Sequence, residues 1–144
     1  TPRPLPELAA ALGGPVQETL WHGTRYAVFV FPDAAAIAAL QPDFAALKAH
    51  GDILINATAP GAGSSYDADV VSRAFAPGGG IDEDPVTGSA HCAITAYWCE
   101  RLGRSSFTAY QASARGGYVG CELAGDKGVL TGRAVTVITG TMTI

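Results

Sequence analysis

The sequence predicts an α+β domain in which a mostly antiparallel sheet wraps around one central helix. Short runs rich in β-forming residues are separated by many of the 18 glycines and 9 prolines, as is typical of strands joined by turns. One stretch, residues 90–99 (AHCAITAYWC), is apolar nearly all the way round a helix, and such a helix is normally buried on all sides. In a chain made largely of strands, a sheet that encloses the helix is the simplest way to bury it.

Length and composition indicate one globular domain, residues 1–144, with a single core. The chain has 144 residues, of which 48% are hydrophobic and 15% charged. The net charge of −4, without any Lys/Arg cluster, argues against a nucleic acid or an anionic membrane as partner. No apolar stretch approaches the roughly 20 residues that span a bilayer. We therefore predict neither a nucleic-acid nor a membrane partner.

In the first half of the chain, proline, aspartate and glycine mark the ends of the helices. The predicted elements are a helix at 6–14, a hairpin from 16–23 and 25–31, two short helices within 32–51 and a strand at 52–59. Pro32-Asp33 and Pro42-Asp43 are expected to open the two short helices, and Gly51 to close the second.

The second half alternates strands with glycine turns around the apolar helix. The predicted elements are a strand at 66–77, the helix that includes 90–99 and ends at Gly103, and four strands within 105–114, 118–125, 128–132 and 133–144. This order of elements predicts a sheet with few helices.

The cysteines and the start of the chain favour the cytoplasm. Cys92, Cys99 and Cys121 are odd in number and lack CxxC spacing, which makes a disulfide framework or a zinc site an unfavoured interpretation. Cys92 and Cys99 lie two helical turns apart, which is typical of small core residues. The first 14 residues lack the features of a signal peptide. The chain also starts without Met, as a sequence that begins inside a longer one does.

The residues best suited to bind or transform a substrate lie at the entrance of the apolar helix. A helix leaves its first N–H groups unpaired, and its dipole favours an anion at that end. Gly88 allows close backbone approach there and Ser89 can cap or donate, so the site suits a substrate carboxylate. Asp84, shortly upstream of Gly88, would overhang the same spot, where it can hold an amine or hydroxyl or move a proton.

A purely structural interpretation of the same residues remains open. A Ser or Thr before a helix is commonly only an N-cap, and acids near a helix start are ordinary complements of the dipole. His91 lies inside the apolar run, so we expect a hydrogen-bonded core histidine rather than a metal ligand or a base.

Residues 72–103 (SRAFAPGGGIDEDPVTGSAHCAITAYWCERLG) resemble the phenazine-biosynthesis PhzF-like isomerase family. Its hallmark, EDPVTGSAH, stands here at 83–91. Residues 40–51, 110–123 and 128–140 resemble other segments of the family. The resemblance implies the diaminopimelate-epimerase-like fold, in which each of two similar lobes wraps a sheet around a helix. It also implies an active site between the lobes that uses no metal and no organic cofactor.

Carried over by position, the resemblance implies Asp84 and Ser89 as catalytic residues. It implies Thr87, Gly88, Ser89 and Ala90 as the residues that bind the substrate, with Gly88 and Ser89 at its carboxylate. Cofactor-free epimerases of this fold carry a catalytic cysteine at the helix start, where this chain has Thr87. Because a threonine hydroxyl is a far weaker acid than a thiol, two-thiol racemase chemistry is disfavoured.

The resemblance covers only the second lobe of the family. The glutamate that serves as principal base lies on the first lobe and has no counterpart here, and Glu83, inside the second-lobe motif, does not replace it. We therefore expect the C-terminal lobe of an isomerase or epimerase for a small carboxylate, active only when combined with an N-terminal lobe. The alternatives are a non-catalytic carboxylate-binding module and an assembly module, including a two-fold dimer that brings two copies of Asp84 to one cleft.

Overall fold

The computed structural model describes residues 1–23 and 25–143. The helices are α1 Pro6–Leu12, α2 Ala34–Ala38, α3 Phe44–Ala49 and α4 Gly88–Leu102, and a 3₁₀ turn spans Pro77–Gly79. The strands are β1 Glu18–His22, β2 Tyr26–Val30, β3 Leu54–Pro60, β4 Val70–Ala76, β5 Ile81–Asp84, β6 Ser106–Gln111, β7 Gly117–Ala124 and β8 Lys127–Thr131.

The eight strands of the described chain form one mixed sheet. Seven of them follow the order β1-β2-β3-β4-β6-β7-β8, and β5 pairs with β4 off this path. Five adjacent pairs are antiparallel, whereas β2 with β3 and β4 with β6 are parallel. Helices α2 and α3 connect the first parallel pair, and α4 lies in the connection of the second, as such crossovers require. The expected mostly antiparallel sheet is thus only partly right.

Helices cover both faces of this sheet. On one face, α4 packs against β2, β6, β7 and β8. On the other face, α1, α2 and α3 cover the half of the sheet near β3 and β4. Successive side chains of β4 point to opposite faces of the sheet and contribute to both cores. Val70 joins the core under α4, while Val71 and Phe75 join the opposite core.

The predicted helix boundaries are confirmed where local side chains define them. Asp33 accepts a hydrogen bond from the Ala36 N–H at 2.8 Å, and Asp43 accepts one from the Ala46 N–H at 2.9 Å. Gly103 ends α4 in the left-handed region, with φ of 64°.

Helix α4 is buried on one face only, so its predicted burial on all sides is wrong. Ile94, Trp98 and Cys99 are buried, whereas Cys92 and Ala96 are exposed. The described strands lie along one side of the helix and leave the other side open to solvent. Cys92 is therefore not a core residue, although all three cysteines are free as expected.

Two further differences concern strands. Residues 132–143 form no regular structure and are exposed, with Val137 and Ile138 at 84% and 85%, so the strand predicted at 133–144 is absent over its described part. A strand needs a partner, and these residues pair with no strand of the described chain. Ile144 lies outside the described residues. Conversely, β5 was not predicted, because its sequence IDED lacks β-forming residues and its pairing with β4 is a tertiary effect.

No helix among the described residues is long and apolar enough to cross a membrane.

Candidate active site at the entrance of helix α4

Strand β5 brings the Asp84 carboxylate to the start of α4. Asp84 ends the strand and pairs with Ala74 on β4. Three residues follow before α4 begins at Gly88. Asp84 Oδ2 accepts a short hydrogen bond of 2.5 Å from the Thr87 hydroxyl, so the carboxylate is held beside the first turn. The structure thus brings together Asp84, Thr87 and Gly88.

The first turn of α4 has no side-chain cap. Thr87 occupies the N-cap position, but its hydroxyl donates to Asp84 and accepts no bond from a first-turn N–H. Gly88 and Ser89 are exposed, so backbone N–H groups and the Ser89 hydroxyl lie at an accessible surface. A helix end of this kind attracts anions.

Ala90 and Gly88 contribute differently from their neighbours. Ala90 is buried as a whole residue and packs near Leu54 and Ala74. A Cβ added at Gly88 would make only ordinary contact with Leu130, at 3.8 Å. The fold therefore leaves room for a side chain at Gly88.

Gln111 and Ser113, which the sequence analysis did not single out, hold the segment that carries Asp84. Gln111 is fully buried at the end of β6 and bonds to both ends of residues 84–87. The Ser113 hydroxyl donates to the Pro85 carbonyl at 2.6 Å. Neither residue belongs to a sequence pattern with chemical meaning, and their role arises only when β6 and α4 pack together.

Glu83, the other acid of the motif, serves the structure. Its two carboxylate oxygens accept bonds from Arg73 at 2.7 and 2.9 Å. Arg73 also donates to the carbonyls of Ile37 and Leu40 at the end of α2. Because neighbouring residues of a strand point to opposite faces, Glu83 turns toward α2 while Asp84 turns toward α4. Glu83 is thus engaged in an ion pair with Arg73.

His91 is a core residue, as expected. It is fully buried, and its Nδ1 lies 2.7 Å from the Thr87 carbonyl, which can only accept, so Nδ1 carries the proton. Burial lowers the pKa of His91 below its ordinary value, so the ring is neutral at pH 7. Its Nε2 has no partner among the described residues.

The site is an open surface rather than an enclosed cavity. A wide cleft of about 1300 Å³ lies elsewhere, along the loop at 61–69 and the rings of Tyr66 and Tyr118. From the segment 84–91, only Val86 lines this cleft. We place the candidate site at the helix entrance because the acid and the uncapped N–H groups are there. No group of three or more His, Cys, Asp or Glu that could hold a metal occurs in the part of the chain that the structure describes.

The fold and the site define a class of protein, namely a mixed half-barrel around one helix whose uncapped start carries an acid. Comparison with known proteins gives the family: the chain belongs to the phenazine biosynthesis-like proteins (PhzC-PhzF), whose family model matches residues 8–140.

Individual relatives agree with this assignment. An uncharacterized isomerase from Pseudomonas aeruginosa is 44% identical over 134 residues, which make up 93% of this chain and 49% of the relative. A PhzF-family phenazine biosynthesis protein from Enterococcus faecalis superimposes with a TM-score of 0.77 at 41% identity, over 90% of this chain and 48% of that structure. A putative PhzC/PhzF phenazine biosynthesis protein from Clostridium difficile superimposes with a TM-score of 0.81 at 33% identity, over 99% of this chain and 53% of that structure. The chain therefore spans about half the length of the relatives it matches.

Proposed function

We propose that this chain is the C-terminal lobe of a cofactor-independent isomerase or epimerase with a diaminopimelate-epimerase-like fold. The reaction is a proton shift on a small substrate that carries a carboxylate. The observation that carries the proposal is the Asp84 carboxylate, held by the Thr87 hydroxyl beside an uncapped first turn. The relatives named isomerases support the reaction class.

The uncapped first turn provides the binding half of the mechanism. The substrate carboxylate accepts hydrogen bonds from the N–H groups of Gly88, Ser89 and Ala90, and the Ser89 hydroxyl donates another. These groups are fixed by the helix, so they lose little freedom when the ligand binds. Thr87 contributes to the site indirectly, because its hydroxyl holds the Asp84 carboxylate in place.

Asp84 provides the chemical half of the mechanism. Its Oδ1 has no hydrogen-bond partner among the described residues, so it can accept a bond from a substrate amine or hydroxyl. From the same position it can take a proton from the substrate or return one. The base that removes the carbon-bound proton belongs to the other lobe, since Glu83 is paired with Arg73 and His91 is buried.

The proposed mechanism also requires a second lobe. The N-terminal lobe comes from a separate chain or from an adjoining segment, and it closes the cleft over the substrate. Carboxylates and helix N–H groups suffice for the proton shift, so neither metal nor organic cofactor takes part. We place this activity in the cytoplasm, with no nucleic-acid or membrane partner.

The test measures solvent-deuterium incorporation into product by the chain combined with its N-terminal lobe. We expect Asp84→Asn to lower the rate by about a hundredfold or more, because general acid–base steps contribute that much, and Ser89→Ala to lower it by about tenfold or more, because it removes a hydrogen bond to the substrate carboxylate. Asp126→Asn and Ser65→Ala remove the same groups from exposed positions elsewhere and should leave the rate unchanged. Wild-type rates in both site variants would refute the proposal.

A second candidate is a non-catalytic carboxylate-binding or assembly module. It is favoured by one observation: Glu83 is paired with Arg73, whereas Asp84 beside the first turn makes no ion pair with a described residue, so the described chain offers no ionic partner for a base there. Native mass spectrometry of the chain purified from its source separates the two candidates. A second subunit of similar mass supports the two-lobe enzyme, whereas a monomer or self-dimer that exchanges no carbon-bound proton supports the module.

A further inference from the structure

We propose that Gln111 keeps the first turn of α4 open by holding the Thr87 hydroxyl on Asp84. Gln111 is thus a positioning residue, and it acts through Thr87 rather than on the substrate. This inference rests on the proposed function, because the open turn is the part of the site assigned to the substrate carboxylate.

The amide of Gln111 contacts both ends of the segment 84–87. Its Oε1 accepts from the Thr87 N–H at 2.7 Å, and its Nε2 donates to the Asp84 carbonyl at 2.6 Å. The same Nε2 lies 3.2 Å from the Thr87 hydroxyl oxygen and donates to it. One side chain therefore fixes the backbone at both residues and one lone pair of the hydroxyl.

The hydroxyl of Thr87 has a second possible position. At an N-cap, a threonine oxygen ordinarily accepts from an N–H two or three residues further on. The single hydroxyl proton goes to Asp84 Oδ2 at 2.5 Å, and the oxygen receives Gln111 Nε2. Rotation toward the first turn would break both bonds, so Gln111 and Asp84 together hold Thr87 away from the N–H groups.

Two of the other helices have a side-chain cap, whereas α1, which follows Leu5, has none. Asp33 caps α2 and Asp43 caps α3, each through a side-chain oxygen that accepts the third N–H. Helix α4 is the longest in the described chain, and it has a residue able to cap it, yet its first turn has no side-chain cap. The difference lies in Asp84 and Gln111, which together offer the Thr87 hydroxyl competing partners.

Burial makes this arrangement rigid. Gln111 is fully buried, and its strand position pairs with Ser72 on β4. A buried amide that loses its partners is costly, so the three contacts form together or not at all. Gln111 therefore keeps Thr87 in one rotamer before any ligand arrives.

The test titrates the chain with acetate and follows the backbone amide signals of Ser89 and Ala90 by NMR, with acetamide as the neutral comparison. We expect acetate, and not acetamide, to shift both signals in the wild-type chain. In Gln111→Met the Thr87 hydroxyl loses one of the two bonds that hold it and turns to cap the first turn, so the apparent affinity for acetate falls about tenfold. In Gln111→Met/Thr87→Val there is no hydroxyl to cap the turn, and the affinity returns to within about twofold of wild type.

A matched control keeps stability separate from positioning. Asn56 is also a buried amide and donates to the Ala90 carbonyl of α4, but it does not contact Thr87. Asn56→Leu should lower the melting temperature without changing the acetate affinity. Gln111→Glu keeps an acceptor for the Thr87 N–H but loses the bond donated to the Thr87 hydroxyl, so the Thr87 χ1 rotamer, measured by three-bond couplings, should leave its wild-type value; this variant tests the inference even if Gln111→Met unfolds.

The outcomes are distinguishable. If the wild-type chain shows no response to acetate, the proposed carboxylate site fails and the inference falls with it. If the wild type responds and Gln111→Met responds equally, the inference is wrong while the proposed function stands. Failure of the double variant to regain affinity, or an unchanged Thr87 rotamer in Gln111→Glu, would likewise overturn the inference.

Discussion

Two adjacent acids of one motif have different roles because they lie on a strand. Glu83 is tied to Arg73 and, through it, to the end of α2, while Asp84 turns to the start of α4. From the sequence alone, the roles of Glu83 and Asp84 could be distinguished only through the resemblance to the family. In the structure, the alternation of β5 separates them physically.

At the same scale, His91 makes the stability of the fold depend on pH. Its pKa is lowered by burial from an ordinary value of 6.5, so the unfolded chain takes up a proton that the folded chain refuses. Stability is therefore full above about pH 6.5 and is lost as the pH falls below that value.

We expect the free energy of unfolding to drop between pH 7 and pH 5 because of this residue. Urea denaturation at both pH values measures the drop. His91→Gln should reduce the difference, whereas His22→Gln, at an exposed position, should leave it as in the wild type. An undiminished drop in His91→Gln would assign the pH dependence to other groups.

At the scale of the element, the helices of this chain begin in two ways. Asp43 stabilises α3 through the Ala46 N–H, whereas Thr87 gives α4 no such bond. The stability of α4 comes from its packing against the sheet, through Ile94 and Trp98, rather than from its start.

The effect of substitution at the N-cap should differ accordingly. Asp43→Ala should cost about 1 kcal/mol of unfolding free energy, since it removes a working cap. Thr87→Val should cost less, because the lost bond is to a partly exposed carboxylate and not to the helix. Equilibrium unfolding in urea compares the two, and an equal loss would mean that Thr87 caps α4 in solution.

Elements with a local signal could be predicted from the sequence, and those that depend on distant partners could not. The ends of three helices are set by Asp33, Asp43 and Gly103 through neighbouring backbone groups, so the local sequence is sufficient to predict these helix ends. Strand β5 exists because β4 offers an edge, which its own acidic sequence does not reveal. Gln111 in the candidate site is of the second kind, because its partners lie 24 and 27 residues away.

At the scale of the whole molecule, residues 133–143 are the clearest departure from expectation. They are rich in valine, isoleucine and threonine and favour a strand, but they pair with no strand of the described chain. Val135 and Val137 are each 84% exposed, and Ile138 is 85% exposed. Such a segment is an open site for strand pairing with another chain.

We expect the isolated chain to self-associate as its concentration rises, through this segment. Sedimentation velocity should detect the association, and Val135→Lys/Val137→Lys should abolish it by placing charge on one side of the forming strand. Thr136→Lys/Thr141→Lys adds the same charge but keeps the apolar side chains, and it should reduce association less. A wild-type chain that stays monomeric at all concentrations would contradict this expectation.

Because α4 is buried on one side only, one of its cysteines is accessible for labelling with a fluorescent dye. Cys92 is exposed where α4 lies near β8, while Cys99 and Cys121 are buried and burial raises the pKa of the Cys121 thiol to about 11. A maleimide dye added to the folded chain should therefore attach at a single known position, without any engineered cysteine. That dye would sit one helical turn beyond Ser89, where its emission would register the arrival of a second lobe or of a second copy of the chain.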